Sequence, residues 1–326
     1  MGMDETVQVS VYCLAYNHEK YIRKTLEGFA GQKTNFRFKV IIHEDASTDS
    51  TAQIIREYEE KYPHIFDVIY QKENQYSKRV NFFAQYILPR SEGKYITFCE
   101  GDDYWCDEYR LQKQFDIMEA NPDLVCSFHR VGLITEAGDS MGQTYPGMAL
   151  ESGFLTSEQF VDVVCSDFFQ LSSLFCRRDA HMNYMDNFPP YTLLSDVGDL
   201  PQFLYLGSVS ERVYFFDEVM SHYRCASTGS VTLAIAQNAE RQKRHHQRML
   251  AMIDSFDECT QGRYRESCDR FRERQTFETC AKLKDIGTIL KNPAFRRRFR
   301  RLPLRAQASI AVKGCLQAIR NKRSGK

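Results

Sequence analysis

Residues 95–105 read Tyr-Ile-Thr-Phe-Cys-Glu-Gly-Asp-Asp-Tyr-Trp. The first five are apolar or β-branched and uncharged, the pattern of a strand buried on both faces, and the run stops at Glu100-Gly101-Asp102-Asp103. Upstream the same form occurs twice. Val7 to Tyr12 (VQVSVY) leads through Cys13–Asn17 into helical spacing at Ile22, Leu26 and Phe29. Phe38 to His43 leads through the polar loop Glu44–Asp49 into a helix over Thr51–Tyr62, with Ile54, Ile55 and Tyr58 inward. A strand at Asp67–Tyr70 and a helix around Phe82–Leu88 fill the interval. Buried strands alternating with helices through short loops predict an α/β fold, a mostly parallel sheet with helices on both faces. Ligands of such sheets sit beyond the carboxyl ends of the strands, where these polar loops lie.

Downstream, a helix over Leu111–Ala120 ends at Asn121-Pro122, and a strand follows at Leu124–His129. The Gly-, Pro- and Ser-rich stretch Gly138–Gly153 reads as a surface loop near the ligand side. Then come a helix at Ser157–Val164, a strand near Leu171–Cys176, a helix at Leu200–Leu206, a strand at Val213–Phe216 and a turn at Cys225–Gly229. Beyond about residue 235 helical spacing dominates.

The 326 residues carry 43 Lys+Arg and 43 Asp+Glu, but the balance is a sum of unlike parts. From Arg241 to Lys326 there are 23 basic and 8 acidic residues, against 20 and 35 before them. This split places a boundary between a domain over 1–235 and a basic helical region over 236–326. No apolar run is long enough to span a bilayer and no signal core opens the chain, which predicts a cytoplasmic protein. Eleven cysteines without a CxxC pair indicate neither a disulfide framework nor a zinc knuckle. The histidines lack ligand-like context and read as surface residues.

Acidic clusters follow three strand ends: Glu44-Asp45, Glu100 to Asp103, and Asp196 with Asp199. Grouped carboxylates repel one another and resist desolvation unless a cation or a hydrogen-bonded ligand compensates. Hard oxygen ligands of this kind suit Mg²⁺ or Mn²⁺, which bind one or two carboxylates together with substrate phosphates. The same four residues, 100–103, also fit a solvated turn that caps the next helix.

Strand-then-AYNHEKYI, strand-then-EDASTDST and GKYITFCEGDDYW, in this order, resemble the signatures of family 2 glycosyltransferases of the GT-A fold, and GDLPQFLYL and DEVMSHYR extend the resemblance across about residues 7–232. It implies a Rossmann-like nucleotide-diphospho-sugar transferase domain with a helical C-terminal extension. The implied reaction is transfer of a sugar from a nucleotide-sugar, with inversion and a divalent metal, in synthesis of a cell-surface polysaccharide. By the same resemblance, Ala15, Tyr16 and Asn17 line the base and ribose, with Leu14-Ala15 in place of the usual Pro-Thr. Glu44 and Asp45 form the second acidic pair, with Ser47 beside them, and Asp45 is suited to a pyrimidine ring N–H, which favours a UDP- or dTDP-sugar. Asp45, Ser47 and Asp49 equally fit turn-building and capping roles.

The family's Asp-x-Asp falls on Glu100-Gly101-Asp102. Asp102 is the first choice for the metal and Asp103 the second, with Glu100 at the ribose or donor sugar. Lys78 and Arg79 would share the diphosphate charge. Asp199 matches the base position and Asp196 is the runner-up, although a helix N-terminus lowers a carboxyl pKa and weakens it as a base. Trp105, the only tryptophan, and Arg224 are candidates for acceptor contact, Trp105 fitting a core anchor as well, while the histidine usual two places beyond Arg224 is Ala226.

In the tail, Phe295, Phe299 and Leu302 fall at helical spacing among five arginines, 296–298, 300 and 301. Such a stripe fits an anionic membrane interface, which suits a lipid-linked glycan acceptor, or a helix packed on protein with its charges solvated. No nucleic-acid reading module accompanies the charge. Loss of activity at the altered Leu14-Ala15, Glu100 and Ala226 would make the chain a silent nucleotide-sugar-binding scaffold instead. A nucleotidyltransferase would need a Gly-rich basic loop after the first strand, which Cys13–Asn17 is not.

Overall fold

The computed structural model describes residues 6–78, 83–225 and 238–311. The chain divides into two compact units, 1–189 with 198–228, and 190–197 with 229–326.

In the first unit β1 (Val7–Ala15), β2 (Arg37–Glu44), β3 (Phe66–Tyr70) and β4 (Tyr95–Phe98) lie in the order 3-2-1-4, all parallel. Val9, Val11 and Cys13 of β1 pack with Val40 and Ile42 of β2, with Leu26 and Phe29 of α1 (Ile22–Ala30), and with Ile55 of α2 (Thr51–Lys61). The opposite face buries Ser10 and Tyr12 as well, so the strand needs the almost continuous apolar run it has.

Beyond β4 the sheet is mixed. The strand expected near 171–176 is a short helical turn, Leu171–Ser173, followed by β9 (Phe175–Arg177). β9 runs antiparallel to both β4 and β6 (Cys126–Ile134). β10 (Arg212–Arg224) is parallel to β6 and pairs with the edge strand β5 (Tyr104–Trp105). It runs 13 residues rather than four, because irregular pairing between Phe216 and Ser221 absorbs the charged Asp217-Glu218 that interrupts its apolar pattern.

The stretch expected as a loop, 138–153, contains β7 (Ser140–Tyr145), antiparallel to β6, and Gly153 opens β8 (Gly153–Thr156). β7 is a largely exposed edge strand, so no burial pattern marked it. The helix expected over Phe82–Leu88 is one wide turn, Phe83–Ile87, then a tighter one at Leu88–Arg90 that contains Pro89; Phe82 lies outside the described residues. Pro89 cannot donate to a continuing helix.

Helices α3 (Arg110–Ala120), α4 (Ser157–Ser166), α5 (Arg178–Asp186) and α6 (Asp199–Val209) complete the unit. Arg110, fully buried, donates from Nε to His129 Nε2 (2.9 Å) and from one terminal nitrogen to Thr97 Oγ1 and the Ser172 carbonyl (both 2.7 Å). Its guanidinium lies 4.1 Å from the Trp105 ring centroid.

In the second unit α7 (Ala239–Cys259) packs with α8 (Arg265–Lys282) and with the turn Pro190–Leu194. The Phe256 ring meets Tyr191 edge-on and stacks on Tyr264. Short helices α9 (Ile286–Lys291) and α10 (Pro293–Arg300) follow. Phe295, Phe299 and Leu302 pack with Phe277, Ile289 and Ile310. The unit's own core buries Phe295 and partly covers Phe299 and Leu302, the arrangement of a helix packed on protein.

Gly28 lets α1 approach β5: a Cβ there would come within 2.8 Å of the Trp105 carbonyl oxygen. Alanine normally stabilises a helix interior over glycine. Here Gly28→Ala is expected to destabilise by about 1–3 kcal/mol through overpacking. Urea unfolding followed by Trp105 fluorescence measures it.

Candidate functional site

Three loops leave adjacent parallel strands on the same side. Backbone hydrogen bonds carry the pairing past the strand ends: Asp45 N–H to the Ala15 carbonyl (3.0 Å), Cys99 N–H to Tyr12 (3.0 Å) and Gly101 N–H to Leu14 (2.9 Å). The loops after β1, β2 and β4 are thus held side by side.

The first two interlock through residues 17–19 and 47–51. The Asn17 N–H donates to Ser47 Oγ (3.0 Å) and Thr48 N–H donates to Asn17 Oδ1 (2.9 Å). The His18 N–H reaches Thr51 Oγ1 (2.7 Å), Glu19 N–H reaches Asp49 (3.1 Å), and Glu19 in return accepts from Ser50 N–H (3.0 Å). Asp49 also accepts from Thr51 N–H (2.9 Å), so it caps and braces, as its alternative reading had it. Asn17 and Ala46 take left-handed backbone (φ 55° and 59°), uncommon for alanine and a mark of constraint at this turn.

The second loop folds on its own carboxylates. Glu44 is buried and accepts from Ser47 N–H (2.7 Å). Asp45, also buried, accepts from the N–H groups of Gln75 (2.7 Å) and Tyr76 (3.1 Å). A nucleobase N–H would be a third donor on a carboxylate that still has lone pairs to offer. Tyr16 is 43% exposed, its ring open to a ligand. Lys78 pairs with Glu73, and Arg79 lies outside the described residues.

The acidic turn buries its carboxylates unequally. Asp103 is buried: Oδ1 accepts from the Arg224 N–H (2.9 Å) and Oδ2 from Gln170 Nε2 (3.1 Å). Occupied and turned inward, it is withdrawn from the metal role. Asp102 is half-exposed and Glu100 exposed, so these two face outward. Gly101 leaves no room for a side chain, since a Cβ would lie 2.7 Å from His18 Nδ1.

Arg224 is mostly buried and donates to the Asp102 carbonyl (3.0 Å) and to the Thr135 and Glu136 carbonyls (3.2 and 2.7 Å). It holds the acidic turn from behind rather than meeting an acceptor. Trp105 is corrected likewise: at 3% exposure, with its ring edge-on to Phe29, it is core. Ala226 lies outside the described residues.

Asp199 opens α6, half-buried, and its Oδ1 accepts from Leu200 N–H (2.9 Å). Burial pushes its carboxyl up to about 6 against the lowering pull of the Leu200 and Asp199 amides. The expected weakening by the helix terminus is overridden. Glu100 is pushed up to about 7 by the protein packed around its carboxyl, then by the charges of Asp102 and Asp199, although part of the side chain meets solvent. Asp196 belongs to the second unit, paired there with Arg248 and His245, and is not available as the base.

Sequence reading missed the buried histidines. His43, His129 and His181 are at most 1% exposed, and burial lowers the pKa of each. His181 Nδ1 accepts from Gln202 Nε2 (3.0 Å), one turn past Asp199 on α6. His18 packs against Gly101 with its pKa lowered, first by burial. Gln170 gave no signal either, its local sequence being that of an ordinary loop. Among the described residues no three His, Cys, Asp or Glu side chains gather closely enough to hold a metal by themselves.

A mixed sheet whose parallel half carries interlocked polar loops and an acidic turn at its carboxyl ends matches the GT-A class of nucleotide-diphospho-sugar transferase folds. The family model "Glycosyl transferase family 2" matches residues 10–177, just over half of the chain. The chain belongs to that family. An uncharacterised protein of Mycobacterium tuberculosis is 42% identical over 130 residues, 40% of this chain and 37% of the relative. The putative teichuronic acid biosynthesis glycosyltransferase of Bacillus subtilis is 32% identical over 131 residues, 40% of this chain and 48% of the relative. These matches thus span less than half the length of either relative.

Among solved structures, residues 1–349 of Staphylococcus aureus TarS in complex with UDP superpose with a TM-score of 0.53 at 16% identity, covering 98% of this chain and 92% of that one. The Pyrobaculum calidifontis mannosyltransferase in complex with GDP-Man and Mn²⁺ gives 0.51 at 14% identity, covering 97% and 89%. At these identities the likeness shows the fold.

Asp103→Asn sets an NH₂ group against either the Arg224 N–H or the Gln170 amide. It is expected to cost about 1–3 kcal/mol of stability, whereas Asp102→Asn, half-exposed, costs less. Chemical unfolding of the two variants side by side checks the inward and outward assignment.

Proposed function

We propose that the protein transfers a sugar, with inversion, from a UDP- or dTDP-sugar to a hydroxyl of a cell-surface glycan or its lipid-linked precursor. The observation that carries this reading is Asp199, a half-buried carboxyl at about 6 whose charge acts on Glu100 in the acidic turn. A base is most useful when its pKa lies near working pH. Asp199 takes the proton from the acceptor hydroxyl as that oxygen forms its bond to the anomeric carbon, and the bond from that carbon to the diphosphate oxygen breaks.

Tyr16 and Asn17 meet the nucleoside, with Asp45 and Ser47 shaping the base pocket and favouring a pyrimidine with a ring N–H. Glu100 meets the ribose or donor sugar, and the charges of Lys78 and Arg79 would be shared with the diphosphate. Asp102, hard, outward-facing and helped at most by Glu100, fits a Mg²⁺ or Mn²⁺ ion that takes its remaining ligands from phosphate oxygens and water. Bound there, the ion would neutralise charge developing on the leaving diphosphate. UDP in a structural neighbour and teichuronic acid biosynthesis in a relative's name support donor and pathway. The proposed location is the cytoplasm; among the described residues no helix is long and apolar enough to cross a membrane.

Asp199→Asn is expected to lower kcat by about 10²–10⁴-fold with donor affinity retained. Steady-state transfer and UDP titration read the two quantities, and unchanged kcat removes Asp199 from the base role. Because the base works deprotonated, kcat/KM should rise with pH through about 6–7 and level off above. Glu100→Gln should leave that limb in place, since Glu100, at about 7, is still largely protonated where Asp199, at about 6, gives up its proton. If no UDP- or dTDP-sugar is turned over with any divalent ion and acceptor, the chain is a nucleotide-sugar-binding scaffold.

A further inference from the structure

Asp285 is the last acidic residue in the sequence: positions 286–326 hold twelve Lys and Arg and no Asp or Glu. Seven of the twelve lie between Lys291 and Arg305, and six of those are arginine. The fold sorts them. Phe295 and Phe299 turn into the core, and Arg298 lies over the Phe277 ring (5.8 Å). Arg296, Arg297, Arg300 and Arg301 face solvent, and among the described residues none of the four is paired with a carboxylate.

Positions 296 and 300, and 297 and 301, are one helical turn apart, about 6 Å along the axis. Like charges at this spacing repel. The C-terminal dipole of α10 offsets that repulsion within its last turn only. A partner with repeated negative charge would compensate all four, and guanidinium groups suit carboxylate or phosphate by paired hydrogen bonds. A bilayer fits less well, because an interfacial helix needs an apolar face for lipid, and on α10 Phe295 is buried and Phe299 partly buried in the protein's own core.

We propose that the arginine face of α10 docks an anionic glycan, a chain with a carboxylate or phosphate in each repeat, and so retains the acceptor on the enzyme. This rests on the glycosyltransferase reading. Docking raises the local concentration of acceptor ends without any new contact at the reacting centre.

The test uses the full chain with a polygalacturonate oligomer of about twelve residues, an intermediate-length polyanion by the logic of counterion release. A neutral gluco-oligomer of equal length and phosphatidylglycerol vesicles are the other probes. The uronate oligomer should bind, with log affinity falling linearly against log salt. R296Q/R297Q/R300Q/R301Q should weaken it at least about 10-fold and reduce the salt slope by about 3. The matching Arg→Lys variant should keep the slope and lose part of the affinity. UDP affinity, unchanged in both, reports that the fold and donor site are intact. Equal binding of the neutral oligomer, an unchanged slope in the Gln variant, or binding confined to the vesicles overturns the proposal. Arginine-dependent oligomer binding in a protein that turns over no donor overturns the transfer reading and leaves the docking surface standing.

Discussion

A carboxylate inside a protein must receive hydrogen bonds, and the candidate site is organised around one that does. Asp103 is met on one oxygen by the Arg224 peptide and on the other by the Gln170 amide. Satisfying it fixes the acidic turn to the end of β10 and to the segment before β9, two parts of the chain more than 60 residues away in sequence. The Arg224 side chain adds its bond to the Asp102 carbonyl, so the turn is held at consecutive residues. With Asp103 anchored, Asp102 beside it stays partly exposed. A site that handles a polyanionic donor needs its carboxylates placed before the ligand arrives, since two mobile acids would move apart.

The parallel half of the fold was legible because its strands are buried on both faces and its loops are short. In 95–99 and 7–12 the apolar run itself announces the strand, and the helical spacing after each supplies the crossover. The other half was harder for definite reasons. β7 is exposed and polar, so nothing in its pattern separates it from a loop. β10 carries two adjacent acids in an irregular stretch, which cut the apparent strand to a third of its length.

Within the site, sequence located the loops but not the orientation of neighbouring side chains. Asp102 and Asp103 are adjacent acids with the same local context, and only long-range partners, Gln170 and Arg224, tell them apart. Asp196 and Asp199 are three residues apart, yet they belong to different compact units, one paired with Arg248 and the other half-buried with a raised pKa. The effect of a helix terminus on Asp199 was anticipated with the right sign and the wrong rank, because burial, invisible in a local window, outweighs two amide hydrogen bonds. The same blindness hid the histidines: a polar residue in a helical or strand pattern is usually exposed, and His181 and His129 are buried because Gln202 and Arg110 reach them.

The basic tail turns on a related distinction. An amphipathic stretch states that one face avoids water, not what covers it, and a core of Phe277, Ile289 and Ile310 competes with lipid for Phe295 and Phe299. Once the core has that face, the meaning of the arginines changes. Beside an unpartnered apolar stripe they would be the flanks of an interfacial helix. On the outside of a packed one they are a cluster of like charge held at fixed spacing by a folded element, which cannot spread to relieve its own repulsion. Such an arrangement lasts only where dipole, salt or a polyanion offsets it, and of the three only a polyanion needs every arginine turned to the same solvent.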